Sequence, residues 1–204
     1  QEIDIAYARV LANRLTYIGE LGWELHIPTE FTQGVFDLIW EVGQEFGLKP
    51  AGYHALEHLR SERAYREYEL DLTPVDTLLE AGLSFTIAWD KEGGFNGLEA
   101  LKSQRASGQL NKRLVMFKLH DPEPLLFHEE PILCNDTIVG YISSGVKSFT
   151  LGSSIGMGYV NHSEGVTKSL LQKSNWKIEI AGKQYAATAS LQAFFDPKGE
   201  RLRK

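Results

Sequence analysis

Apolar and polar residues alternate along the start of the chain, switch to helical spacing near residue 30, and return to alternation from about residue 110. Ile3, Ile5, Tyr7 and Arg9 set against Ala6, Ala8 and Val10 predict a strand over 3–10. Strand-like residues at 14–18 lead through a glycine turn into a strand over 22–27. There Trp23, Leu25 and Ile27 fall on one face, with Glu24 and His26 on the other. Pro28-Thr29 ends that strand, and Thr29 can cap a helix that begins at Glu30. Phe31, Val35, Leu38, Ile39, Val42 and Phe46 recur at helical spacing, and Gly47 supplies a C-terminal stop. Pro50 suits the first turn of a second helix running to Tyr65 or Tyr68, with Leu56, Leu59 and Ala64 inward. The polar segment 69–77 reads as a loop, Leu83 to Trp89 as a strand, and Gly97 to Ala106 as a short helix stopped by Gly108.

Beyond Leu110 the texture is all strand. Runs at 112–119, 137–142, 154–160, 176–180 and 184–191 are separated by turn residues: Asn135-Asp136, Ser143-Ser144-Gly145 and Ala181-Gly182. Short strands at this spacing with no helices between them predict a small antiparallel barrel or sandwich. The fold class is therefore α+β, with a mixed region over 1–109 and an all-β region over 110–204.

Composition narrows the classes of function. With 43% hydrophobic and 24% charged residues the chain is that of an ordinary globular protein. A net charge of -6 without a lysine or arginine block argues against nucleic acid and anionic membranes as partners. No apolar run reaches the roughly 18 residues of a membrane span. Cys134 is the single cysteine, which excludes an internal disulfide framework and a cysteine-based zinc cage and fits a reducing compartment. Gln1 stands where an initiator methionine is expected and a strand begins at once, so the sequence reads as a piece of a longer chain.

Several groupings invite chemistry, and most have a plain structural alternative. His54 and His58 lie four apart on the second helix, a spacing zinc sites use, yet no third ligand is evident, so no metal is expected. Gly152, Gly156 and Gly158 sit within strand residues, which suits a barrel bend better than a phosphate loop. Arg60, Arg63 and Arg66, interleaved with Glu62, Glu67 and Glu69, read most simply as a solvated, salt-bridged helix stripe, or as a cradle for an anionic tail. Glu24 is either a plain surface carboxylate or, rigidly aimed after a glycine turn with Tyr17 close before it, an acceptor for the polar edge of a flat ligand.

An ordered set of motifs goes further. These are Tyr-x-Gly-Glu-x-Gly-Trp-Glu (17–24), Gly-Leu-Lys-Pro-Ala-Gly-Tyr (47–53), Leu-Arg-Ser-Glu (59–62), Thr-Pro-Val-Asp-Thr-Leu-Leu-Glu-Ala-Gly-Leu (73–83) and Phe-Asn-Gly-x-Glu-Ala-Leu (95–101). Gly-Tyr-Ile-Ser-Ser-Gly (140–145), Ile-Gly-Met-Gly-Tyr-Val (155–160) and Phe-Phe-Asp-Pro-Lys-Gly-Glu-Arg (194–201) follow in the second half. Together they resemble the aminomethyltransferase (glycine-cleavage T-protein) superfamily. Leu56, where the stand-alone transferases carry an arginine, and the loop 65–74 look more like the folate-binding C-terminal half of dimethylglycine and sarcosine dehydrogenases.

The resemblance implies an incomplete folate-binding domain over 1–109 followed by a C-terminal β-barrel over 110–204. It implies tetrahydrofolate as cofactor, with Tyr17, Glu24, Leu25 and His26 on the family's folate-contacting motif. The expected activity is capture of a one-carbon unit, from a glycine-derived or N-methylated amine donor, as 5,10-methylenetetrahydrofolate. No catalytic residue is assigned within the chain, because the family's aspartate is expected upstream of Gln1. FAD is expected only in an N-terminal domain of a dehydrogenase-like protein, whose missing N-terminal part would be a partner of this chain. The expected compartment is the cytoplasm, or the mitochondrial matrix in a eukaryote. A stand-alone T-protein and a non-catalytic regulatory homologue are the alternatives.

Overall fold

A computed structural model describes residues 1–203. By its internal contacts the chain forms two compact units, one from Gln1–Leu59 with the chain end from Lys198, the other from Arg60–Pro197.

The first unit is a three-stranded antiparallel sheet with a helix on one face. Strands β1 (Glu2–Ile5), β2 (Ala8–Asn13) and β3 (Glu24–His26) lie in the order β1-β2-β3. The single strand expected over 3–10 is a hairpin. Ile5 pairs with Ala8, and Ala6 and Tyr7 between them take φ of 47° and 66°, the left-handed conformation that matches a two-residue turn to strand twist. Residues 14–18 form no strand, and Trp23 precedes β3 with its side chain exposed.

Helix α1 (Thr32–Gly43) follows a 3-10 turn over Thr29–Phe31, and Thr29 makes no side-chain cap. Gly47 ends the helical run with φ of 73°, as its lack of Cβ allows. The inward stripe is narrower than the spacing suggests. Val35 is fully buried against Ala8 and Val10, with Ile39, Leu25, Ile3, Ile5 and Ile27 packed around them. Phe36 and Trp40 stack on each other at 6.2 Å, Phe36 58% and Trp40 37% exposed. Helix α2 (Tyr53–Glu62) stops short of Tyr65 because Ala64 turns into the left-handed region at φ 56°.

In the second unit, the strand expected over 83–89 is instead a 3-10 turn over Ser84–Thr86. Helix α3 (Leu98–Ala106) follows, and then a closed six-stranded barrel. Its strands are β4 (Lys112–Leu119), β5 (Pro131–Cys134), β6 (Thr137–Ser148), β7 (Ser153–Asn161), β8 (Trp176–Ile180) and β9 (Lys183–Ser190). The order is β4-β7-β6-β5-β8-β9, with β9 pairing back onto β4 and every pair antiparallel. Asn135-Asp136 and Ala181-Gly182 are hairpin turns with positive φ throughout. Ser143-Ser144-Gly145 is no turn but lies inside β6, beside a bulge between Ile142 and Ser144. A short helix α4 (Lys168–Lys173), not foreseen in the sequence, is capped by Thr167, whose hydroxyl accepts from the Leu170 N–H.

The barrel core is apolar. Phe117, Ile132, Ile142, Val160 and Ile178 are essentially inaccessible, and Trp176 tilts against Phe117 at 5.6 Å while donating its indole N–H to the Leu171 carbonyl at 3.1 Å. Closure brings neighbouring backbones closer than a side chain permits. A Cβ on Gly140 would fall 1.8 Å from the Tyr159 carbonyl oxygen, and one on Gly158 would fall 2.3 Å from that of Tyr141. The glycines of β6 and β7 are therefore steric requirements of the barrel. No helix among the described residues is long and apolar enough to cross a membrane.

These spacings separate two kinds of glycine. Gly140→Ala is expected to lower stability by about 1–3 kcal/mol through overpacking. Gly34→Ala, on α1 with nothing within 4 Å of the added methyl, should be stabilising by up to ~1 kcal/mol. Urea unfolding of the two variants checks both signs.

Candidate functional site

The pleat and register of the small sheet determine what Glu24, Leu25 and His26 can reach. Glu24 and His26 are exposed on the face away from α1, whereas the Leu25 side chain turns into the core beside Val35. Across the ladder Glu24 pairs with Asn13 and His26 with Leu11. The open face is thus a row of Leu11, 41% exposed, between polar neighbours, with Glu24 and His26 along one border. Arg9, Glu2 and Asp4 occupy the other border, joined by ion pairs of 3.2 and 3.3 Å. Leu11 and Asn13 were not singled out in the sequence. The signal was present, since Leu11 is an apolar residue at a polar position of the alternation, but only cross-strand register sets it beside His26.

Backbone hydrogen bonds fix one more feature. Ala12 exchanges both of its bonds with Gln1, donating at 2.8 Å and accepting at 3.0 Å. Antiparallel ladders alternate, so Leu11 and Asn13 direct their amides toward β3, where they face His26 and Glu24. The Leu25 N–H and C=O then point away from β2, along the edge of a strand that has a neighbour on one side only. Leu25 can meet a ligand through its main chain, not its side chain. Tyr17 is half-buried in the irregular segment between β2 and β3, off the strand. That segment is tight: the Ile18 N–H reaches the Thr16 hydroxyl at 3.2 Å.

The second unit holds a buried ionic cluster where a solvated arginine stripe was expected. Arg60 is 1% exposed and Asp71 0%. The Arg60 guanidinium meets Asp71 at 2.7 Å and Glu67 at 2.9 Å, and donates to the Ser144 hydroxyl at 3.1 Å and the Tyr65 carbonyl at 3.2 Å. Asp71 also accepts from the Glu67 N–H and the Ser143 hydroxyl, and its own carbonyl accepts from Tyr159. Arg63 pairs with Asp196 at 2.7 Å. Arg66 donates to the Ala81 and Ala64 carbonyls, and burial holds its pKa below the ordinary arginine value. Glu62 accepts from the Ser148 hydroxyl at 2.6 Å and the Thr150 N–H at 3.0 Å. The expected helix stripe does not form, because α2 ends at Glu62 and Ala64 turns left-handed; Arg63 and Arg66 lie beyond the helix, and all three arginines find partners of their own.

Next to this cluster, Lys112 binds Asp76 at 2.6 Å and lies 4.6 Å above the Tyr159 ring. The Tyr159 hydroxyl is pushed well above the usual phenol range, first by burial and then by the charges of Asp76, Glu80 and Asp71. Burial alone would raise the Asp76 pKa. Hydrogen bonds from Lys112 and from the Thr73 hydroxyl and N–H outweigh it and hold the carboxyl below its ordinary 3.8. Among the described residues no group of three or more His, Cys, Asp or Glu is placed to hold a metal ion, and His58 Nδ1 is 2.6 Å from the His54 carbonyl of its own helix.

Residues 1–91 match the model described as "GCVT N-terminal domain", and 112–196 match "Glycine cleavage T-protein C-terminal barrel domain". The chain is 38% identical over 98% of its length to 4-methylaminobutanoate oxidase (formaldehyde-forming) of Paenarthrobacter nicotinovorans. It is 38% identical over 95% of its length to human mitochondrial sarcosine dehydrogenase. It spans 24% and 21% of those two proteins. The crystal structure of glycine cleavage system aminomethyltransferase T from Bartonella henselae shares the fold, with a TM-score of 0.76 at 20% identity, over 91% of this chain and 50% of that one.

Two outcomes follow from the charged cluster. Asp71→Ala leaves Arg60 with a buried charge short of its closest partner and is expected to cost about 3–5 kcal/mol in urea unfolding, with much of the loss recovered in Arg60→Met/Asp71→Leu. Asp76 has a lowered native pKa, so the stability it contributes is complete above the unfolded value and is lost as pH falls through the native one. Asp76→Asn should therefore flatten the decline in melting temperature below about pH 4.

Proposed function

The chain belongs to the aminomethyltransferase (glycine-cleavage T-protein) superfamily, and from that premise we propose that it is the tetrahydrofolate-binding portion of a one-carbon-transfer enzyme of the dimethylglycine and sarcosine dehydrogenase kind. The open face of the small sheet supports this reading best. It carries the exposed carboxylate of Glu24 on a paired strand, diagonal across the ladder from the exposed Leu11. A pterin presents an N3–H and a 2-amino group side by side, and a carboxylate accepts from both at once, as it does from arginine. Leu11 gives the ring an apolar floor, and His26 adds a second polar group on the same strand. The outward N–H and C=O of Leu25 add a donor and an acceptor along the edge, and Tyr17 brings an aromatic ring from the preceding loop.

In this role the chain positions rather than reacts. Tetrahydrofolate supplies the nucleophilic N5, and the protein holds it against an electrophilic one-carbon group, which is catalysis by proximity. The donor, a glycine-derived or N-methylated amine, and the acid-base group are supplied by polypeptide outside these residues, together with FAD if the whole protein is a dehydrogenase. The product is 5,10-methylenetetrahydrofolate. We assign 1–109 to the folate-binding domain and 110–204 to the barrel domain. The exposed Phe36–Trp40 face of α1 is the surface the remainder of the folate-binding domain covers. The cytoplasm or the mitochondrial matrix is the expected compartment.

Glu24→Gln is expected to weaken tetrahydrofolate binding tenfold or more, consistent with loss of a charge-assisted pair of about 1.5–3 kcal/mol. Asp4→Asn, a change on the same face but opposite Arg9 rather than Leu11, should leave affinity unchanged. Calorimetric titration of the intact protein decides the matter, and equal affinity for Glu24→Gln and the unaltered protein removes Glu24 from the site.

A further inference from the structure

The segment between β2 and β3 is closed on itself and tied down by the other end of the chain. Gly19 turns it through the left-handed region at φ 76°. Gly22 then comes back so close to its start that a Cβ there would lie 2.7 Å from the Leu15 carbonyl and 3.1 Å from the Thr16 Cβ. Residues 15–22 thus form a compact loop with touching ends, carrying Tyr17 and Glu20 between them. Glu20 is ion-paired at 2.5 Å with Arg201, 181 residues later, in a 3-10 turn over Glu200–Arg203. Leu202 of the same turn joins Arg14, Leu15, Thr16, Glu20, Leu21 and Gly22 around a cleft of about 440 Å³. Chain-end residues from Lys198 accordingly group with the first unit rather than with the barrel that precedes them.

We propose that Arg201 is a positioning residue for this loop. The terminal turn latches residues 15–22 through Glu20 and Leu202, and so fixes Tyr17 and the start of β3 at Glu24. Within the loop the Ile18 N–H reaches the Thr16 hydroxyl, and Gly22 packs against Leu15 and Thr16. Short loops with few buried apolar contacts open locally at low free energy. An exposed ion pair adds little to global stability, so its removal changes the loop and not the fold. The consequence for ligand binding rests on the tetrahydrofolate reading of Tyr17 and Glu24; the latch itself does not.

The test uses Arg201→Gln, Glu20→Gln and the reversed pair Glu20→Arg/Arg201→Glu in the intact protein. Two readouts are taken: hydrogen exchange of the amides over 15–22 without ligand, and tetrahydrofolate affinity by titration. Each single variant should speed exchange of those amides by about three- to fivefold and weaken tetrahydrofolate by a similar factor, the scale of an exposed ion pair. The melting temperature should stay unchanged, and the reversed pair should restore both readouts. Unchanged exchange in the single variants overturns the latch, as does a reversed pair no better than they are. Faster exchange with unaltered affinity overturns the positioning role. Faster exchange, restored by the reversed pair, in a protein that does not bind tetrahydrofolate at all upholds the latch and overturns the folate reading.

Discussion

The guanidinium of Arg60 is the point from which the second unit is organised. A charge with 1% exposure must be neutralised and fully hydrogen-bonded, or the fold does not form. Its partners come from three places: the turn at Tyr65, the loop at Glu67 and Asp71, and the bulged strand β6 at Ser144. One side chain thereby fastens an irregular segment to a barrel wall. Arg66 and Glu62 repeat the device at Ala81 and at Ser148. Displacing a loop stitched by buried charges leaves ions unpaired, at a cost of about 3–5 kcal/mol per broken pair.

The barrel imposes the complementary constraint. Its closed order requires β6 and β7 to approach where Gly140 and Gly158 sit, and the same closeness sets Ser143 and Ser144 against the loop. Bulges re-aim side chains by breaking strict alternation. Here the irregularity between Ile142 and Ser144 allows adjacent serines to serve Asp71 and Arg60 together, which regular alternation would forbid. Glycine and serine in these strands therefore do a single job: they let a wall come close and then bind what it meets.

The small sheet follows simpler rules. In the three residues of β3 the pleat alone decides that Glu24 and His26 face out while Leu25 faces in. The bonding of Ala12 to Gln1 decides which main-chain groups remain free on the outer edge.

Much of this was legible in the sequence, and the division between what was and was not is physical. Local periodicity located α3 and four of the six barrel strands within a residue or two, and α1 with an end three residues early, where a 3-10 turn takes over; β6 runs six residues beyond its expected end. It also put Glu24 and His26 on a common face. Motif order identified the family. The short strand β5, with only Pro131–Cys134, was too brief to carry a period, and the positive φ of Ala64 and the Ala6-Tyr7 turn had no glycine to announce them. The arginine stripe could be seen but not understood, since Arg60 and Ser144 lie 84 residues apart and Glu62 and Ser148 lie 86 apart. The sequence by itself determined α1, α3, four of the barrel strands, the faces of β3 and the family, because those depend on neighbours a few residues away or on motif order. Only the tertiary structure decided which charges are buried, that Leu11 lies beside His26, and that Arg201 reaches Glu20, because burial and pairing are set by distances that the chain crosses only when it folds.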